Sequence, residues 1–162
     1  MFYYNLERRI LIIKFLLISG LAFWCAGFLL PVFLPEIAGN NLFYQFLKLC
    51  YSRVCHQSND ATFYINGNHL LVCARCSGIY LGAFLVLVPL LFMKPKWKLS
   101  LKPFILLTSP LIIDAFAVRL NIYTYSKINA FITGLLFGSI VIIYIFDVLI
   151  NSLYRAKTAY EF

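Results

Sequence analysis

Four of the five cysteines and both histidines in this 162-residue chain fall between Cys50 and Cys76. Cys50 and Cys55 form one pair, His56 follows at once, and Cys73-Ala74-Arg75-Cys76 forms a second pair at the head of a long apolar run. Thiolate sulfur and imidazole nitrogen are the ligands of a tetrahedral zinc ion, and these residues can supply four of them. A soft, sulfur-rich shell also suits Cu(I) or an iron–sulfur cluster. The same spacing serves thiol exchange, because a Cys-x-x-Cys at a helix N-terminus has its thiolate favoured by the helix dipole, here with Arg75 alongside. A third use is structural, with one or two inert disulfides stapling a loop to a helix in an oxidising compartment. The candidate metal ligands are therefore Cys50, Cys55, His56, Cys73 and Cys76, with zinc the default ion. Three charged residues, Arg75, Asp114 and Arg119, are the candidates for a catalytic or binding pocket beside them.

The elements that must position these groups are membrane spans. The chain is 62% hydrophobic and 12% charged, with apolar stretches too long for the core of a soluble domain of this size. It reads as an all-α, single-domain bundle of four transmembrane helices over 1–162, with spans at about 10–34, 69–93, 103–120 and 130–150 and a Cys-rich extracytoplasmic loop. A cleaved signal peptide is excluded for the first run, which exceeds an apolar core of about 7 to 15 residues. Cys25 follows bulky Trp24 and reads as a thiol packed within that span. The formal charge is +8, but the basic residues flank apolar runs, where they set orientation and meet lipid headgroups. The partner is thus the bilayer and not nucleic acid.

Orientation follows from the same residues. With the N-terminus in the cytoplasm, Arg8, Arg9, Lys14, Lys94, Lys96, Lys98, Lys102, Arg155 and Lys157 lie inside, against Lys48, Arg53, Arg119 and Lys127 outside. Both termini are then cytoplasmic, and the cysteines face the outer side. Leu42 to Cys50 reads as a short interfacial helix, with Leu42, Phe43, Phe46, Leu47 and Cys50 on one face, and Asn66-Gly67 as a turn. Taken as helical from His69, the second span would carry His69, Cys73 and Cys76 in one stripe, with Gly78 and Gly82 as a notch; Gly134 and Gly138 offer a second notch in the fourth span. Asp114 lies too deep to snorkel, so pairing with Arg75 or Arg119, or protonation, is expected. Asp147 lies close enough to the inner boundary to snorkel there.

The layout of a Cys-x-x-Cys at the outer start of the second of four spans resembles the disulfide-generating quinone reductases of bacterial inner membranes. That resemblance implies a quinone as cofactor and a second cysteine pair between the third and fourth spans, where this chain has none.

A second resemblance is more specific. Cys55-His56-Gln57 and Cys73-Ala74-Arg75-Cys76-Ser77-Gly78-Ile79-Tyr80-Leu81-Gly82, followed by Pro110-x-x-x-Asp114 and Thr133-Gly134-x-x-x-Gly138, resemble a family of small predicted membrane proteins classed as a domain of unknown function. It covers Cys55 to Gly138 and implies that Cys55, His56, Cys73, Arg75, Cys76 and Asp114 act as one constellation. Relatives with Asp in place of Cys76 would favour metal, since Asp replaces a ligand but not half of a disulfide. The chain departs from the family pattern at Asp60-Ala61-Thr62-Phe63, where Arg-Ser-Phe is expected, and lacks a basic residue just before Thr133. Metal binding, thiol–disulfide exchange and a disulfide-stapled structure stay open on the sequence.

Overall fold

The structure, a computed structural model, describes residues 2–34, 42–92 and 100–160, the side chains at 2–7, 9 and 153–160 excepted. Lys94, Lys96 and Lys98, and the side chains of Arg9, Arg155 and Lys157, which weigh in the orientation count, lie outside the described residues. Five helices and one hairpin follow in order: α1 (Phe2–Phe33), α2 (Leu42–Ser52), β1 (Thr62–Ile65), β2 (Asn68–Cys73), α3 (Ala74–Phe92), α4 (Leu101–Arg119) and α5 (Lys127–Tyr160). Four stretches are long and apolar enough to cross a membrane: Ile10–Phe33, Ala74–Phe92, Leu101–Arg119 and Lys127–Ser152.

α3 packs against both α1 and α5, and α4 packs against α5. The tightest seam is α3 on α5, where a Cβ at Gly78 would overlap the Phe131 carbonyl, at Gly82 the Leu135 carbonyl, at Gly134 the Arg75 carbonyl and at Gly138 the Ile79 carbonyl. Both notches expected from sequence are used, and they interlock. The contacts advance together along the two chains, so α3 and α5 run parallel. In lipid, where apolar side chains gain little from leaving one another's company, such backbone approach is what holds helices together.

At the opposite end from the cysteines, Lys14 is buried in α1. Its Nζ donates to the Leu90 carbonyl at 2.8 Å and lies 5.1 Å from the centroid of the Phe146 ring. The last carbonyls of α3, left without intrahelical donors, thereby receive a cation. Nearer the cysteines, the Tyr51 hydroxyl of α2 donates to the Trp24 carbonyl of α1 at 2.7 Å and stands where a Cβ on Gly27 would be. α2 docks through Tyr44, Leu47 and Tyr51 while Leu42, Phe43, Phe46 and Leu49 remain exposed. Leu47 therefore leaves the face that sequence assigned it.

The second span begins later than expected. His69 to Cys73 is not helical: Asn66 and Gly67, at φ 52° and 81°, make the hairpin turn, and Asn68–Cys73 pairs antiparallel with Thr62–Ile65. Two consecutive positive φ angles are those of a type I′ turn, which Asn-Gly favours. Leu70, Leu71 and Val72 are all buried, a run of consecutive apolar side chains that a strand covered on both faces accommodates. Consequently the His69, Cys73 and Cys76 stripe does not exist; the His69 Nδ1 lies 2.9 Å from the Thr62 hydroxyl instead. In α4, Pro110 leaves the Leu106 carbonyl without its amide donor, and the Ser109 hydroxyl supplies one at 2.7 Å.

Gly138→Leu is expected to destabilise the protein by about 3 kcal/mol, the upper end for overpacking, because the obstacle is backbone rather than a mobile side chain. A Cβ at Gly20 would meet nothing within 4 Å, so Gly20→Ala should leave the melting temperature in detergent unchanged.

Candidate metal centre

Three sulfurs converge where hairpin and helix meet. The Sγ atoms of Cys55, Cys73 and Cys76 all lie within 4.8 Å of one another, with Cys55 buried and the other two half-buried. Each is placed by a different local device. Cys55 follows α2, whose last turn is extended as the Val54 and Cys55 amides donate to the Tyr51 carbonyl at 3.1 and 2.9 Å. Cys73 ends β2, and Cys76 lies in the first turn of α3. The abrupt change from strand to helix at Cys73–Ala74 puts both thiols at the positive end of the α3 dipole.

Backbone amides point at the sulfurs. The Cys73 N–H donates to Cys55 Sγ at 3.1 Å, and the Gln57 N–H donates to the same sulfur. The Cys76 N–H in turn donates to Cys73 Sγ, an N-cap geometry with sulfur in place of oxygen. With the Cys73 and Cys76 thiols and these amides all donating to it, Cys55 is held far below the usual thiol range. Cys73 is pushed up, chiefly because its thiol donates to the Cys55 sulfur. The trio's neighbours thus favour negative charge on the Cys55 sulfur, the form in which a cysteine reacts or ligates.

Gln57, to which sequence assigned no role, is the positioning residue of the loop. It sits at φ 50°, a conformation that a non-glycine residue adopts only when its surroundings hold it there. Its Nε2 supplies that hold, donating to the Leu71 carbonyl at 2.8 Å and the Lys48 carbonyl at 3.1 Å. The backbone turn at Gln57 aims its N–H at Cys55, and the side chain ties the turn to α2 and β2.

Arg75, between the two thiols of α3, turns toward α4, where its Nη2 meets Asp114 Oδ2 at 2.6 Å. Asp114 is buried, and its other oxygen accepts the Tyr123 hydroxyl. Both carboxylate oxygens are therefore spoken for, while Arg75 Nε is buried with no partner among the described residues. Tyr123 and Tyr125 come from the α4–α5 connection, which begins where Asn121 at φ 55° stops α4 and the Ile122 and Asn121 amides close back on Ala117 and Val118. Tyr125 is pushed up first by burial and then by the nearby Cys73 sulfur, an effect that Arg75 opposes. Neither tyrosine stood out in the sequence, where the loop offered only polar character.

The remaining expected site residues stand apart. Cys50 is half-buried in α2 and His56 is exposed, both outside the trio. Arg119 is exposed at the end of α4 and makes no ion pair among the described residues. Cys25 is buried in α1, and all five cysteines are free thiols.

Replacing Arg75 by Leu leaves Asp114 buried without its cation, and a loss of about 3 kcal/mol is expected, as for breaking one side of a buried ion pair. The Arg75→Leu, Asp114→Leu double variant should recover most of that melting temperature, while Arg75→Leu alone stays low.

Comparison with known proteins agrees with this picture. The family described as "Predicted membrane protein (DUF2085)" matches residues 55–144, a stretch that holds the thiol trio, the ion pair and the glycine seam. An uncharacterised protein of Methanocaldococcus jannaschii is 30% identical over 146 residues, covering 86% of this chain and 93% of its own. Another, from Methanothermobacter thermautotrophicus, is 34% identical over 87 residues, 51% of this chain and 75% of that one. No solved structure matches. Having the family's match over most of its length and a relative aligned nearly end to end, the chain belongs to the DUF2085 family of predicted membrane proteins.

Proposed function

We propose that Cys55, Cys73 and Cys76 hold zinc, or another thiophilic metal ion, at the edge of the membrane beside a polar pocket of Arg75, Asp114, Tyr123 and Tyr125. The observation that carries this reading is the convergence of three sulfurs from separate elements within 4.8 Å, with amides donating to two of them. Inert stapling needs sulfurs in pairs, and three mutually close thiols leave one over. The donor set suits a soft or borderline ion. Its negative charge is answered by the ion, by the N-terminus of α3 and by Arg75.

Three protein ligands with a fourth position free is the arrangement of catalytic rather than closed structural zinc sites. An ion so held supplies Lewis acidity at that free position. Cys50 or His56 becomes a fourth ligand only if the loop rearranges on binding. On the protein side, Arg75 contributes fixed positive charge and a spare N–H, Asp114 holds that guanidinium in place, and Tyr125 offers a hydroxyl near the Cys73 sulfur. Arg119, exposed at the end of α4, is left outside this pocket. The distribution of Lys and Arg supports the orientation in which the centre faces the extracytoplasmic side and both termini the cytoplasm.

A second reading has one observation in its favour: the Cys55 sulfur adjoins both sulfurs of the Cys-x-x-Cys, so once a two-electron oxidant has joined Cys73 and Cys76 as a disulfide, the Cys55 thiolate can attack one of them and release the other as thiolate. A quinone would then be the electron acceptor. The third and fourth spans are joined by a connection without cysteine, so the second pair such an enzyme needs would have to come from elsewhere.

Protein purified without chelator is expected to carry about one metal ion per chain by elemental analysis, a stoichiometry that Cys55→Ser, Cys73→Ser or Cys76→Ser each lowers by weakening affinity at least about tenfold. Cys50→Ser and His56→Ala should leave it unchanged; a comparable loss in either would identify a fourth ligand and a closed site. Because Cys73 is a protonated thiol in the metal-free protein, binding must displace its proton. Affinity should therefore rise with pH through the neutral range, by about tenfold per pH unit for each proton released. A flat pH profile measured by competition with a metal-sensitive dye would count against thiolate ligation.

A further inference from the structure

A trough of about 370 Å³ runs along the seam of α1 and α3 on the same half of the membrane as the thiols. Its α1 side is a helical stripe of Ala22, Ala26, Leu29 and Phe33, and its α3 side is Leu81 and Phe84. The two alanines make it deep and the larger side chains make its walls. From Ala22 to Phe33 the stripe rises about 16 Å at ~1.5 Å per residue, half of a hydrocarbon core about 30 Å thick. Below Ala22 it is closed, because Leu17, Ile18 and Leu21 pack onto the cluster of Leu87, Leu90 and Phe146.

These dimensions select the occupant. A helix from a second copy would need a complementary face through the whole span, and the lower half of this seam is already filled. One hydrocarbon chain of one leaflet matches the length of this stripe, about half of the ~30 Å hydrocarbon core. The upper wall of the trough packs in the same cluster as the three sulfurs. Cys76, Tyr80 and Phe84 follow one another at helical spacing on α3, and Cys55, Cys73 and Cys76 pack in the same cluster as Leu29, Leu81 and Phe84.

We infer that this trough seats the acyl chain of a bilayer lipid from the leaflet on the thiol side, bringing that lipid's polar end to the level of the three sulfurs. Lipids are thereby the substrate or ligand class of the centre. Chemistry on that lipid rests on the metal proposed for the sulfurs, whereas occupancy of the trough does not.

The test uses the full chain in nanodiscs containing a phosphatidylcholine with a diazirine midway along one acyl chain, the attached residues being mapped by mass spectrometry after illumination. Attachment is expected to concentrate on Ala22–Phe33 and Leu81–Phe84, and Ala26→Trp should lower it there about tenfold while leaving attachment at Ile112 and Phe116 of α4, and the metal content, unchanged. Should Ala26→Trp fail to fold, Ala22→Leu is read in the same way. Even attachment over all lipid-facing helices, no response to either variant, or a dimer cross-linked through this stripe would overturn the assignment. Persistence of the tenfold contrast in protein that carries no metal would uphold the trough and remove the sulfur-centred chemistry instead.

Discussion

Everything at the cysteine end depends on the backbone contact between α3 and α5. Four glycines let carbonyl oxygens of each helix lie against the other's main chain, closer than any side chain would permit. One of those carbonyls belongs to Arg75, which is itself flanked by two of the converging thiols. The seam therefore sets the height and rotation of the first turn of α3, and with it the directions of Cys76 toward the loop and of Arg75 toward α4. It also carries α4: that helix packs against α5, and its Asp114 meets Arg75.

On this scaffold the site is assembled from three kinds of backbone. The helix α3 gives Cys76 and Arg75, the strand β2 gives Cys73, and an irregular turn gives Cys55. The last is the least constrained by regular structure, and there side-chain hydrogen bonds are concentrated. Gln57 holds two carbonyls from two elements and turns its own amide to sulfur. A ligand carried on a loop is as precise as the bonds that fix the loop, which explains why His56 can be exposed while its neighbours on both sides are engaged.

Much of this was legible from residue types and spacing. Long apolar runs with basic flanks marked the four spans, Asn66-Gly67 marked the turn, and paired glycines one turn apart marked the helix seam. The clustering of cysteines pointed to Cys55, Cys73 and Cys76, and the cost of an intramembrane carboxylate pointed Asp114 toward an arginine. What failed was the reading of His69 to Cys73 as helix. A short apolar run beside a longer one has no periodicity to separate a buried strand from the helix that follows. Gln57, Tyr123 and Tyr125 were missed for another reason: their roles arise from long-range contacts and from backbone angles, neither of which leaves a pattern in a single sequence. Cys50 and His56 are nearer to Cys55 along the chain than Cys73 is, yet proximity in sequence did not translate into convergence.

The length of α3 has a consequence for how the protein enters the membrane at all. From Ala74 to Phe92 it has 19 residues, about 28 Å at ~1.5 Å per residue, slightly less than the ~30 Å of hydrocarbon it crosses. Where a helix this short ends within the hydrocarbon, its unpaired amides and carbonyls must find partners within the protein. Sulfur answers them at one end and the Lys14 ammonium at the other. The groups proposed to do the chemistry thus also stand in for the water that a short helix cannot reach, and selection for activity cannot alter them without disturbing the depth at which that helix floats.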